Sequence, residues 1–174
     1  MAEPTEIEKM LNDFGTDVVE RAMRNLGATR TVNGRKRRAV ASGRLKDSLT
    51  YKLRIRYNKP TLDFTTNSTE TQQYADIVEF GRKPGSKQPP VEPIIRWMKT
   101  KPVKLRAKGG GFVKQTEEGL RRAAWAISAS IGRRGIPPLR YYRDAIEDAL
   151  DQRGQDFLDA LQKELETRLL LNQR

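Results

Sequence analysis

Arg35-Lys36-Arg37-Arg38 is the densest run of cations in the chain, and Arg82, Lys83 and Lys87 form a second, looser group around Pro84 and Gly85. Side chains of this kind neutralise phosphates or meet the carboxylates of another protein surface, so both groups are candidates for contact with a protein partner or with DNA. The strand-like face carrying Lys52, Arg54 and Arg56 extends the same chemistry. Catalysis has less to work with. The chain has no His and no Cys, which removes the commonest general base near neutrality, the thiolate nucleophile and every disulfide, and no Ser stands in a nucleophile-elbow motif. Glu147, Asp148 and Asp151 carry carboxylates, but their spacing is that of an ordinary polar helix face. Gly109-Gly110-Gly111 lacks the Gly-Lys-Ser or Gly-Lys-Thr ending of a phosphate-cradling loop. The expectation is therefore no catalytic residue, no cofactor and no metal site.

With 174 residues the chain has the size of one ordinary domain, and only 36% of its residues are apolar against 32% charged. The net charge of +12 is unevenly spread. Arg30 to Lys46 and Arg96 to Lys114 each hold cations and no acid, while Asp144, Glu147, Asp148, Asp151, Asp156, Asp159, Glu164 and Glu166 make the C-terminal stretch acidic. A bipolar chain suits head-to-tail assembly, since the basic face of one copy steers toward the acidic face of the next. The acidic start Met1 to Glu6 lacks the features of a signal peptide and no apolar run reaches the length of a membrane span, so a soluble protein without membrane contact is expected.

These side chains need elements to hold them. Thr5 and Glu8 form a capping box that opens a helix, in which Ile7, Met10, Leu11, Phe14, Val18, Ala22 and Leu26 share one face up to Gly27. Thr29 to Ala41, with the turn dipeptide Asn33-Gly34 and the Arg35–Arg38 cluster, reads as an exposed loop, and Ser42 as the cap of a short helix presenting Leu45 and Leu49. Tyr51, Leu53, Ile55 and Tyr57 alternate with Lys52, Arg54 and Arg56. After a turn at Asn58-Lys59-Pro60, Leu62, Phe64 and Thr66 continue the alternation, which predicts a hairpin needing helical cover.

Gln72 to Phe80 is expected as a helix that gives Tyr74, Ile77, Val78 and Phe80 to the core and ends at Gly81. Arg82 to Pro93 carries four prolines and reads as an extended loop, followed by a helix to Lys99 with Pro93 in its first turn. Lys101 to Lys114 is a flexible connector or hairpin tip. Thr116 to Ile131 is a helix ended by Gly132 and Gly135, with Trp97 and Trp125 expected in one small satellite core. Arg140 to about Asn172 is one long helix with a break possible at Gly154. The expected fold is α+β: a small hairpin-based antiparallel sheet packed against an N-terminal helix and a long C-terminal helix. It forms a single domain over 1–174, with 82–135 as a loop-rich helical insertion.

Two passages carry a resemblance. Tyr74 to Gly85, with Glu79-Phe80-Gly81-Arg82-Lys83-Pro84-Gly85 followed by Pro89-Pro90 and Trp97, is similar to the gp-ten-like tail-component family of tailed bacteriophages. So is Gly135-Ile136-Pro137-Pro138-Leu139-Arg140-Tyr141-Tyr142, although Tyr141-Tyr142 stands where that family usually has Pro-Phe; Ser42 to Leu49 also resembles it. The resemblance covers about Ser42 to Leu150 with gaps. It implies a structural virion protein, made in host cytoplasm, that forms a ring, commonly a hexamer. Such a ring completes the tail as a terminator or serves as a neck protein in head-tail joining, between head-connector and tail-tube proteins, with passive contact to DNA in the lumen. Nonspecific nucleic-acid binding is the rival reading from the charge. A helix-turn-helix is excluded, because far more than three or four residues separate Lys99 from Thr116.

Overall fold

The computed structural model describes residues 5–32, 35–38, 42–57, 59–100, 103–106, 109–113 and 116–171. Helix α1 (Glu6–Gly27) opens as its sequence dictates: the Thr5 hydroxyl accepts from the Glu8 amide at 3.2 Å, and the Glu8 carboxylate accepts from the Thr5 amide at 2.9 Å. Its apolar face is buried from Phe14 through Leu26. Thr29 to Ala41, expected as a loop, contains regular structure: Thr29–Val32 (β1) and Arg35–Arg38 (β2) pair antiparallel in the register Thr29 with Arg38 to Val32 with Arg35. Thr and Val favour the pleated backbone, and cationic residues are tolerated on the edges of a two-stranded ribbon, so density of charge alone was a poor reason to expect a loop. Residues 33–34 and 39–41 lie outside the described set.

Short helix α2 (Arg44–Ser48) has Gly43 at its N-cap in the left-handed region with no side-chain cap bond, so Ser42 does not cap it. Strands β3 (Leu49–Arg56) and β4 (Lys59–Thr66) form the expected hairpin, with Tyr51 opposite Phe64 and Leu53 opposite Leu62. Burial fades toward the tip: Ile55 is exposed, and Tyr57 lies in the turn with φ 51° instead of extending the strand. Asn58 lies outside the described residues. Helix α3 (Thr69–Phe80) starts three residues before the expected Gln72, and α4 (Val91–Thr100) contains Pro93 in its first turn, so the irregular stretch is shorter than Arg82 to Pro93. Two-residue strands β5 (Leu105–Arg106) and β6 (Phe112–Val113) make the Gly109 to Gly111 region a hairpin tip.

Helix α5 (Glu117–Arg134) is capped by the Thr116 hydroxyl, which accepts from the Gly119 amide at 3.1 Å, and it runs through a buried Gly132 before ending at Gly135. Helix α6 (Tyr141–Leu171) is continuous past Gly154 and, at 1.5 Å per residue, roughly 46 Å long.

The fold is α+β, with the β3–β4 sheet packed against α1 and, through Tyr142, against the start of α6. α1 and α6 run antiparallel: Asn25 donates to the Tyr141 carbonyl at 3.1 Å, Arg21 to Gln152 at 2.6 Å, and the Phe14 and Phe157 rings meet edge-on at 5.2 Å. The main core joins Phe14, Val18, Ala22 and Leu26 to Leu49, Tyr141, Tyr142, Ala145 and Ala149. A second cluster of Ile94, Met98, Leu120 and Ala124 joins α4 to α5. Trp97 and Trp125 do not share it. They are 41% and 58% exposed, because Ile94 and Met98 on α4 and Leu120 and Ala124 on α5 already fill the contact. Phe80, expected in the core, is 73% exposed at the C-terminal end of α3.

Candidate assembly surface

Two segments singled out in the sequence, Tyr74 to Gly85 and Gly135 to Tyr142, are stitched together in space. The Arg82 and Ile136 backbones exchange hydrogen bonds at 2.8 and 2.9 Å, the Gly85 amide donates to the Gly132 carbonyl at 2.8 Å, and the Leu139 amide donates to the Val78 carbonyl at 2.9 Å. Glycine is required at both crossings. Gly81 has φ +73° and a Cβ there would stand 2.5 Å from the Ile136 carbonyl oxygen. Gly135 has φ +71° and a Cβ there would collide with the Arg82 carbonyl oxygen.

Glu79 completes the junction. It is only 6% exposed, and its two carboxylate oxygens accept from the backbone amides of Tyr142 at 2.9 Å and Arg143 at 3.0 Å, the first turn of α6. The residue at the α6 N-cap is Arg140, held at φ 53°, whose side chain offers no acceptor; its own amide donates to the Glu79 carbonyl at 3.1 Å. A carboxylate from another helix therefore satisfies the amide donors and meets the positive end of the helix dipole. Tyr142 ties the same point to the sheet: its hydroxyl lies 3.1 Å from the Thr50 carbonyl and 2.9 Å from the Thr65 carbonyl. Burial pushes the Tyr141 and Tyr142 phenols above the ordinary tyrosine range, and for Tyr141 the nearby Glu79 charge adds to it.

Beside this junction a groove of about 560 Å³ is floored by β4 from Leu62 to Thr66 and walled by α3 and the first turns of α6. On α3 the lining positions Gln72, Ala75, Asp76, Glu79 and Phe80 follow helical spacing. Four carboxylates border the groove, those of Asp63, Asp76, Glu79 and Glu147, against the single guanidinium of Arg143. Asp63 pairs with Arg54 at 3.0 Å and Glu147 with Arg143 at 3.1 Å, while Asp76 has no ion pair among the described residues.

A second surface lies along α6. Leu150, Leu158, Leu161, Leu165 and Leu169 are 46–63% exposed and fall in a stripe roughly 100° wide at 3.6 residues per turn, away from the flank of Tyr142, Ala145, Ala149 and Ala160 that enters the core. Glu6, whose carboxyl is held low first by the Lys9 hydrogen bond, also feels Lys163, which puts the start of α1 near that point of α6. Leu165 and Leu169 lie beyond it.

Of the cations singled out in the sequence, Arg82, Lys83 and Lys87 share one loop, but the Arg82 guanidinium is turned inward to the Lys87 carbonyl and serves the loop's own shape. Lys83 and Lys87 are exposed. Arg35, Lys36, Arg37 and Arg38 form β2 in a separate hairpin that packs extensively against no other described element. Sequence reasoning missed Glu79, Asp76 and the leucine stripe. One signal for Glu79 was present: a long helix beginning after Pro-Pro-Leu-Arg with no Ser, Thr, Asp or Asn to cap it must find its acceptor elsewhere.

Among the described residues no group of three or more acidic side chains is placed to hold a metal ion, and no described helix is long and apolar enough to cross a membrane. Family models, curated proteins and solved structures give no match to this chain.

Proposed function

We propose that the chain is a structural subunit of a tailed-bacteriophage particle, one that assembles into a closed, sixfold ring completing the tail or joining it to the head. The observation that carries this reading is the second apolar face of α6. Five leucines exposed along one helix leave an apolar strip, uncovered by the described residues, that a second surface would bury. The resemblance of Tyr74 to Gly85 and of Gly135 to Ile146 suggests the kind of assembly, and the hydrogen bonds that join those passages are consistent with a subunit built to bear load between neighbours. The role is mechanical, and no substrate is turned over.

Mass photometry of the purified chain tests the assembly, and proteomic analysis of purified particles tests the location. The expected results are a species near six times the 19.9 kDa subunit and the presence of the chain in particles. Deleting its gene should leave full heads beside separate tails. A chain that stays monomeric at every concentration and is missing from particles overturns the reading. If the isolated monomer instead binds DNA tightly at physiological salt, nucleic-acid binding through the cations of β2 takes its place.

A further inference from the structure

A ring needs a heterologous contact, in which one surface of a subunit meets a different surface of the next. Resting on the ring reading, we infer that this contact includes strand addition: β2 of one copy pairs with the open edge of β4 in the next.

The β3–β4 sheet has two strands, so one edge of β4 is unpaired by its own sheet. The register identifies the groups on that edge. The Asn67 amide donates to the Ser48 carbonyl at 2.8 Å, which makes 48 with 67 a hydrogen-bonded pair. Antiparallel alternation then turns the odd positions of β4 toward β3 and the even positions outward. Outward N–H and C=O groups therefore belong to Leu62, Phe64 and Thr66, and no described backbone group pairs with them. Pro60, with no N–H to give, stands at the remaining outward position and limits the usable edge to 62–66. This is the stretch that floors the groove.

The occupant is chosen by charge and by form. Of the four carboxylates bordering the groove, Asp63 and Glu147 are met by Arg54 and Arg143 and Glu79 by two α6 amides, so among the described residues Asp76 is the one left to select a basic segment. Strand β2 is four consecutive cations already held extended, its hairpin also has only two strands, and that hairpin packs extensively against nothing else described. Main-chain hydrogen bonds supply the pairing, Asp76 supplies a carboxylate outside the described ion pairs, and exposed Phe80 at the groove wall supplies an apolar anchor. Pairing the two edges joins two marginal hairpins into one four-stranded sheet across the subunit boundary.

The test uses two full-length variants that leave the core untouched. One carries Asp76→Ser with Phe80→Ser, breaking the groove. The other carries Arg35→Thr, Lys36→Thr, Arg37→Thr and Arg38→Thr, which keeps strand propensity and removes the charge. Each variant alone is expected to lose the ring in mass photometry while keeping the circular dichroism of the parent. Mixed in equal amounts, they have one intact junction per pair and should stop at dimers. In hydrogen exchange, peptides covering 62–66 should be protected at least tenfold in the assembled wild type relative to the groove variant. If the wild type forms rings and both variants form them equally well, or if 62–66 gains no protection on assembly, strand addition is wrong while the ring reading stands. A monomeric wild type overturns both.

Discussion

The carboxylate of Glu79, near the end of α3, accepts hydrogen bonds from the backbone amides of Tyr142 at 2.9 Å and Arg143 at 3.0 Å, 63 residues or more further along the chain. It does the work of an N-cap for a helix that carries none of its own. Replacing Glu79 by Ala leaves buried amides without an acceptor and opens a small void, and should cost about 3 kcal/mol in urea unfolding. Glu79→Gln keeps one acceptor and should cost about 1 kcal/mol. Equal losses for the two variants would mean that bulk, and not the acceptor oxygens, holds the junction.

Gly81 and Gly135 guard the same junction from the other side. Both have φ near +70°, and at both a methyl group would run into backbone of the opposing passage. Gly81→Ala and Gly135→Ala should each destabilise by about 3 kcal/mol or more, because the strain falls on backbone that has no room to move. Gly154→Ala is the contrast: Gly154 is exposed in the middle of α6, and a Cβ added there would meet nothing within 4 Å, so the substitution should stabilise by about 0.5–1 kcal/mol. Thermal midpoints of the three variants, compared side by side, check the ordering.

What the sequence made legible was local. The Thr5–Glu8 box and the Thr116 cap act over three residues, and the β3–β4 alternation announces a hairpin, although Lys59 and Pro60, expected in its turn, pair within β4. The partner of Glu79 was invisible because nothing near position 79 points to position 142. A helix over α6 was readable, yet 3.6-residue spacing cannot say which flank meets the core: Ala160 is buried and Leu158 is exposed. Phe80, Trp97 and Trp125 were assigned to the interior on hydrophobicity alone, whereas the space there was already taken by smaller side chains. For the cations, type and spacing located Lys83 and Lys87 on the surface but held no warning that Arg82 turns back to the Lys87 carbonyl.

Alkaline pH should weaken the fold through Tyr141 and Tyr142. Burial raises both phenols above the ordinary value of about 10, so in the folded chain they stay neutral where the unfolded chain has begun to ionise. Above that pH the unfolded state binds fewer protons than the native one, and stability falls as pH rises; below it the full contribution is present. Each tyrosine should account for about 1.4 kcal/mol per pH unit over that window. Urea midpoints at pH 9 and pH 11 measure the loss, and Tyr141→Phe should remove about half of the part due to these two groups. An unchanged slope in that variant would assign the alkaline loss to other residues.

The exposed stripe of α6 separates folding from assembly. Leu158, Leu161 and Leu165 are about half exposed or more, and they take no part in the main core, which is built from the opposite flank by Ala145, Ala149 and their partners on α1. A triple Leu→Ser change at 158, 161 and 165 should therefore shift the thermal midpoint little, by the equivalent of roughly 1 kcal/mol from helix propensity and lost partial burial. Assembly should respond far more strongly, because removing three apolar side chains from one contact forfeits about 1.5 kcal/mol or more for each one that is fully covered. In mass photometry the variant should sit at the mass of one subunit at concentrations where the parent forms its ring. If the triple variant assembles as the parent does, the stripe is not buried between copies, and the apolar surface that carries the proposed function has been misassigned.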